Sequence, residues 1–162
     1  MDDGSMTLII ALVFLVACSA FFSASETAFS SLNQIRLKSR AEDGDASAAR
    51  VLAMAEKYDK LLSTILIGNN IVNIAAASIG TILFTRALGA ERGATMSTIV
   101  LTIVVLIFGE VTPKSLAKEM PETVATAVSP MLNLLMVLFT PCLLYTYPSP
   151  RDRSLSRMPS SA

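Results

Sequence analysis

Long runs without an Asp, Glu, Lys or Arg constrain this chain more than any other feature, and among them are residues 7–25, 61–85 and 93–109. The length of each run is close to that of a membrane-spanning α-helix, which needs about 20 apolar residues to cross a bilayer. In hydrocarbon every backbone polar group must be hydrogen-bonded within the chain, which favours helices for runs of this length. The sequence therefore predicts an all-α membrane protein. Its three predicted transmembrane helices lie at about 7–31, 61–85 and 94–112 of a single domain, 1–144.

The composition agrees with a bilayer environment and excludes several kinds of chemistry. Only 16% of the residues are charged, compared with about 25% in soluble domains. The chain has no His and two Cys, which excludes His/Cys zinc sites and His-based acid–base catalysis, so an enzyme is not predicted. The formal net charge is zero, which gives no reason to expect a nucleic-acid partner.

The segments 32–60 and 114–144 are predicted to be juxtamembrane. Residues 32–60 carry two short amphipathic patterns separated at Gly44, as expected for helices that lie on the membrane face. Residues 121–144 are apolar but contain three prolines, so we expect this stretch to lie along the surface or to re-enter it. Residues 145–162 have no apolar period and are predicted to be a disordered or non-native tail.

Basic residues predict the orientation. Six Lys or Arg lie in 32–60, two lie in 86–93 and none precedes the first span. Because cytoplasmic loops are enriched in Lys and Arg, we expect the N-terminus outside and the loop 32–60 and the C-terminus in the cytoplasm.

The end of the third apolar run combines an acid with two residues that weaken a helix. Glu110 in hydrocarbon would cost roughly 3 kcal/mol or more near the bilayer centre. Pro113 has no N–H and clashes with the carbonyl four residues back, that of Gly109, so the helix is expected to break here. A carboxylate beside a freed carbonyl suits Mg²⁺. The alternative is a helix end at the surface, with Glu110 among the headgroups.

Polar residues in the other two spans are predicted to meet this motif. The second span is expected to be broken at Gly68. Asn69 and Asn73 beside it share one helix face, which indicates a polar cavity or, alternatively, helix packing. At 1.5 Å per residue, Ser23 and Glu110 lie about 24 Å from the outer edge of the hydrocarbon and Asn69 about 18 Å. Hydroxyl, amide and carboxylate oxygens at similar depth predict an all-oxygen cation site, which disfavours copper and zinc.

Three segments, FSASETA at 22–28, IGNNIVN at 67–73 and FGEVTPK at 108–114, resemble in order and spacing the transmembrane domain of the CorC / cyclin M (CNNM) family of magnesium transporters. The resemblance implies three spans plus juxtamembrane helices, a homodimer and Mg²⁺ bound between the spans. The implied side-chain ligands, or residues close to them, are Ser23, Asn69, Asn73 and Glu110. Gly68 and Gly109 would be the backbone positions near the ion.

The function implied by this resemblance is magnesium transport across the bacterial inner (plasma) membrane, with export coupled to another cation. The alternative is a membrane Mg²⁺ sensor or scaffold that regulates a partner transporter. The family usually continues into a pair of cytoplasmic CBS domains that bind ATP. No such region is recognisable here, so an isolated membrane domain is expected.

Overall fold

The computed structural model describes residues 2–146, and the regular structure within that range is entirely helical. Most of the predicted tail, residues 147–162, lies outside the described residues, whereas Tyr145 and Thr146 form the end of the last helix. The elements in order are α1 (Asp3–Ser30), α2 (Gln34–Glu42), α3 (Ala46–Glu56), α4 (Tyr58–Leu88), α5 (Ala90–Val104), a π-helical segment (Val105–Val111), α6 (Thr112–Glu119) and α7 (Pro121–Thr146).

Four helices are long and apolar enough to cross a membrane, so the chain is an all-α, multi-pass membrane protein, with one more candidate span than the three predicted. They are α1, α4, the continuous helix Ala90–Glu119 and Pro121–Tyr145 of α7. The additional candidate is α7, which stays helical although it contains Pro130 and Pro141. Pro130 removes the usual donor to the Thr126 carbonyl, and the Ser129 hydroxyl donates to that carbonyl instead, at 2.9 Å.

The predicted helix breaks at Gly68 and at Gly109–Pro113 are wrong. Helix α4 passes through Gly68 without interruption, and the third span changes to π-helical bonding over Val105–Val111 before it continues as α6. At the end of the π-helical segment the N–H of Thr112 donates to the carbonyl of Ile107, five residues back. The wider π turn accommodates Pro113 without exposing backbone groups to lipid, which makes it less costly than a break.

Small residues hold α4 and α5 together as an antiparallel hairpin. The two helices are joined at Gly89, whose φ of 85° suits glycine. A Cβ on Gly93 would lie 2.5 Å from the Cα of Thr85, and a Cβ on Gly80 would overlap the side chain of Leu101. These contacts let the two backbones approach closely, as is common between helices in lipid.

The main hydrophobic core lies at the opposite end of the bundle, where α2, α3 and α7 pack against α1 and α4. Its fully buried members include Leu37, Val51, Leu61, Ile65 and Leu132. Near the other end of α1, Ile10, Val13 and Phe14 are 63–65% exposed, as expected for side chains that face lipid.

Candidate functional site

The centre of the candidate site is Ser19, a buried serine on α1 that contacts α4. Its hydroxyl oxygen lies 3.0 Å from Oδ1 of Asn73 and 3.3 Å from Oδ1 of Asn69. A hydroxyl has one proton, so it fully satisfies only one of these two acceptors at a time. Three oxygens therefore converge with one hydrogen among them, an arrangement rich in acceptors.

Helix geometry explains why both asparagines reach the same serine. Asn69 and Asn73 are four residues apart and lie on one face of α4, whereas Asn70 is exposed on another face. Gly68 brings the helices together, because a Cβ at this position would overlap the ring of Phe22. The structure thus gives Gly68 a packing role between α1 and α4, next to the asparagines.

Gly109 brings the third span to the same serine. A Cβ on Gly109 would lie 3.0 Å from Ser19 Oγ and 3.3 Å from Ser19 Cβ. Gly109 is buried within the π-helical segment, between Phe108, which is 60% exposed, and Glu110. Helix α4 and the third span therefore both meet α1 at Ser19.

Glu110 lies beside this cluster rather than within it. It is partly buried and shares with Asn73 a cavity of about 290 Å³ between α4 and the third span. The remaining lining residues are mainly apolar: Ala77, Leu101, Thr102, Val105 and Leu106. Asn73 thus borders both the Ser19 cluster and the Glu110 cavity.

Five of the six predicted positions lie at or next to Ser19, which the sequence analysis did not select. Of these, Gly68 packs against Phe22, and Glu110 lines the adjoining cavity instead of contacting Ser19. The five are Gly68, Asn69, Asn73, Gly109 and Glu110. Ser23 is buried on α1, one helical turn beyond Ser19, and does not line the Glu110 cavity. Its role as a ligand stays a prediction. The sequence alone could have suggested Ser19 as well, because residues 19 and 23 lie one turn apart on the same helix face.

An ion pair joins the first and third motifs further along the helices. Nζ of Lys114 on α6 lies 3.9 Å from Oε2 of Glu26 on α1, and the two side chains are 40% and 35% exposed. A pair with this separation and exposure contributes about 0–1 kcal/mol. Its main consequence is to fix which parts of α1 and α6 are neighbours.

Acidic and metal-binding side chains are sparse at the site. Residues 2–146 contain no group of three or more His, Cys, Asp or Glu that could hold a metal ion. A cation bound here would therefore depend on one carboxylate together with neutral oxygens.

Comparison with known proteins identifies relatives over most of the chain. A family model described as the cyclin M transmembrane N-terminal domain matches residues 10–146. The UPF0053 inner membrane protein YfjD of Escherichia coli (strain K12) is 47% identical over 123 residues, which cover 76% of this chain and 28% of the relative. A UPF0053 protein of Haemophilus influenzae is 42% identical over 135 residues, covering 83% and 32%.

A third relative is named for what it exports. The polyamine export protein of Escherichia coli (strain K12) is 30% identical over 145 residues, which cover 82% of this chain and 32% of the relative. The chain thus spans about a third or less of the length of these three relatives.

Proposed function

Because the chain belongs to the cyclin M transmembrane family, we propose that it transports cations across the membrane and that Mg²⁺ is the ion. The observation that carries this proposal is the convergence of Ser19, Asn69 and Asn73 oxygens beside the carboxylate of Glu110. The names of relatives include export proteins, which supports transport rather than catalysis.

The chemistry of the cluster supports a hard cation. Mg²⁺ prefers oxygen ligands and keeps several of its waters, so a few protein oxygens suffice. If both asparagine oxygens bind the ion, the hydrogen of Ser19 must rotate away from them, and Ser19 Oγ then becomes an acceptor as well. Glu110 neutralises half of the divalent charge, and the cation in turn offsets the cost of an acid in an apolar span.

A second candidate substrate is a polyamine. Relatives carry that name, and the cavity beside Glu110 has the mixed character that an alkylammonium requires, with one carboxylate and largely apolar walls. A third possibility, a membrane Mg²⁺ sensor or scaffold that does not transport, would use the same residues. Flux separates these possibilities.

Flux into proteoliposomes tests the proposal. The full chain is reconstituted into vesicles; a Mg²⁺-sensitive dye inside follows entry of Mg²⁺, and radiolabelled spermidine added outside follows entry of the polyamine. We expect Mg²⁺ to enter, and we expect Glu110→Gln to abolish both entry and calorimetric Mg²⁺ binding. The matched control is Glu119→Gln, an exposed acid at the end of α6, which should transport normally.

Each other result has a definite meaning. Binding of Mg²⁺ without flux favours the sensor, and flux of spermidine without Mg²⁺ favours the polyamine exporter. Normal Mg²⁺ binding by Glu110→Gln would contradict the assignment of this carboxylate as a ligand.

We further propose a homodimer in the bacterial inner membrane. Asn70 and the neighbouring Ile71 and Ile74 are exposed on α4 in the single chain. A polar amide facing lipid is unfavourable, and a second copy of the helix could supply hydrogen-bond partners.

The proposed orientation places the N-terminus outside and the C-terminus in the cytoplasm. We expect a cysteine at Gly44 to be protected from an impermeant thiol reagent in intact cells and one at Ala90 to react, in a background that lacks Cys18 and Cys142. Reaction at Gly44 alone would reverse the orientation.

A further inference from the structure

Polar contacts at two positions along α7 show how this helix lies against the bundle. Near its start, Glu122 accepts a hydrogen bond from Arg40 at 3.2 Å and lies 3.9 Å from Arg36, both on α2. Further along, Asn133 shares a cavity with Lys57 and Lys60, at the beginning of α4. A helix rises about 16 Å between residues 122 and 133.

Both sets of partners are polar residues around the same end of the bundle, the end where α4 begins. In a helix that crossed the membrane steeply, residue 133 would lie away from this end by about half the thickness of the hydrocarbon. The contacts instead keep α7 at that end of the bundle as far as Val137, with its apolar face turned outward. The exposed members of that face are Met131, Leu134, Val137 and Leu138, at 54–67% exposure.

The cavity beside Asn133 concentrates positive charge. It has a volume of about 180 Å³, and its lining includes three basic side chains, one on α3, one on α4 and one at the junction between these helices, but no acidic one. None of the three basic residues forms an ion pair within residues 2–146; the neighbouring acids Glu56 and Asp59 do not line the cavity. The lining residues include Arg50, Lys57, Lys60, Asn133, Met136 and Val137.

We propose that this cavity binds the phosphate headgroup of an anionic phospholipid. Arg50, Lys57 and Lys60 supply the positive charge, and the side-chain amide of Asn133 supplies a neutral donor. Basic pockets between membrane helices bind headgroups in this way.

The wall of the cavity favours a lipid over a soluble anion. Met136 and Val137 line the apolar side, and Val137 continues into the exposed apolar face of α7. A lipid that places its phosphate among the basic residues can lay an acyl chain along this face, which would otherwise contact water at the membrane surface. A free phosphate would leave that face uncovered.

Retention of phosphatidylglycerol by the purified full chain tests the proposal. The protein is prepared in mixed micelles with phosphatidylcholine and phosphatidylglycerol, and bound lipid is counted by native mass spectrometry. Lys57→Gln/Lys60→Gln should weaken phosphatidylglycerol retention by about fivefold for each charge removed, the usual value of one basic residue near an anionic surface. Lys38→Gln/Lys118→Gln removes the same charge from exposed positions outside the cavity and should retain the lipid.

A neutral substitution provides a second, independent measurement. Asn133→Leu leaves the charge and the apolar wall intact, so weakened retention would support a specific pocket even if the double variant folds poorly. Equal losses in both lysine pairs, or no loss in either, would overturn the proposal in favour of diffuse charge. Displacement of the lipid by inorganic phosphate would overturn it in favour of a soluble anion.

Discussion

The contact between Gly109 and Ser19 predicts a thermodynamic coupling between two spans. Alanine at residue 109 would gain about 1 kcal/mol from helix propensity if there were open space around it. Its Cβ would instead lie 3.0 Å from Ser19 Oγ and 3.3 Å from Val105 Cγ1, and crowding of this kind costs about 1–3 kcal/mol. We therefore expect Gly109→Ala to destabilise the protein by up to about 2 kcal/mol.

Ser19→Ala alone should cost about 1 kcal/mol, the net value of a lost hydrogen bond, because Asn73 borders a cavity that water can enter. The double variant should be less destabilised than the sum of the two, since removal of the hydroxyl takes away the atom closest to the new methyl group. The expected coupling is about 0.5–1.5 kcal/mol.

Equilibrium unfolding in mixed micelles with sodium dodecyl sulfate measures this coupling. Circular dichroism is the suitable signal, because the chain has no Trp. The control pairs Gly109→Ala with Ser25→Ala, whose hydroxyl bonds to the Phe21 carbonyl within α1, and this pair should be additive. If Ser19→Ala and Gly109→Ala are also additive within about 0.3 kcal/mol, Gly109 does not contact Ser19.

Two further predictions concern α7 and the polar helices beside it. Ser129→Ala should destabilise the protein by about 1–3 kcal/mol because it leaves the Thr126 carbonyl without a donor, and Pro130→Ala should restore most of the loss in the same unfolding assay; no rescue would contradict this explanation. The pKa of Asp45 lies below its ordinary value of 3.8, chiefly because the Ala48 N–H donates to it and also because Arg40 does. Its stabilising contribution is therefore present above pH 3.8 and should be lost as the pH falls through the lower, folded-state pKa. Thermal unfolding should show this loss in the parent and not in Asp45→Asn; the same acid dependence in both would contradict it.

Much of the site was predictable because it depends on periodicity. The spacing of Asn69 and Asn73 fixes a common helix face, and the structure directs that face to α1. The sequence analysis selected Ser23 and not Ser19, since a depth counted along the chain does not distinguish two residues that are one helical turn apart. Ser19 and Ser23 satisfy the same pattern, and only tertiary contact distinguishes them.

The course of the helices was less predictable, because a helix can accommodate a proline in more than one way. At Pro113 the chain widens into π-helical bonding, and at Pro130 a serine hydroxyl replaces the missing N–H. Both devices depend on neighbouring groups, so a rule based on proline alone predicted breaks that the structure does not contain. The same rule predicted that residues 121–144 would make a poor straight helix, whereas α7 is helical through both Pro130 and Pro141.

The packing at the end of the bundle where α4 and α5 are joined has a mechanical consequence. Gly93 against Thr85 and Gly80 against Leu101 make α4 and α5 one stiff body. At this end of the bundle a cavity of about 350 Å³ separates Ser5 and Ile9 of α1 from the end of α4. The two helices of the hairpin are therefore fixed to each other by close backbone contacts here, whereas the start of α1 is separated from them by open space.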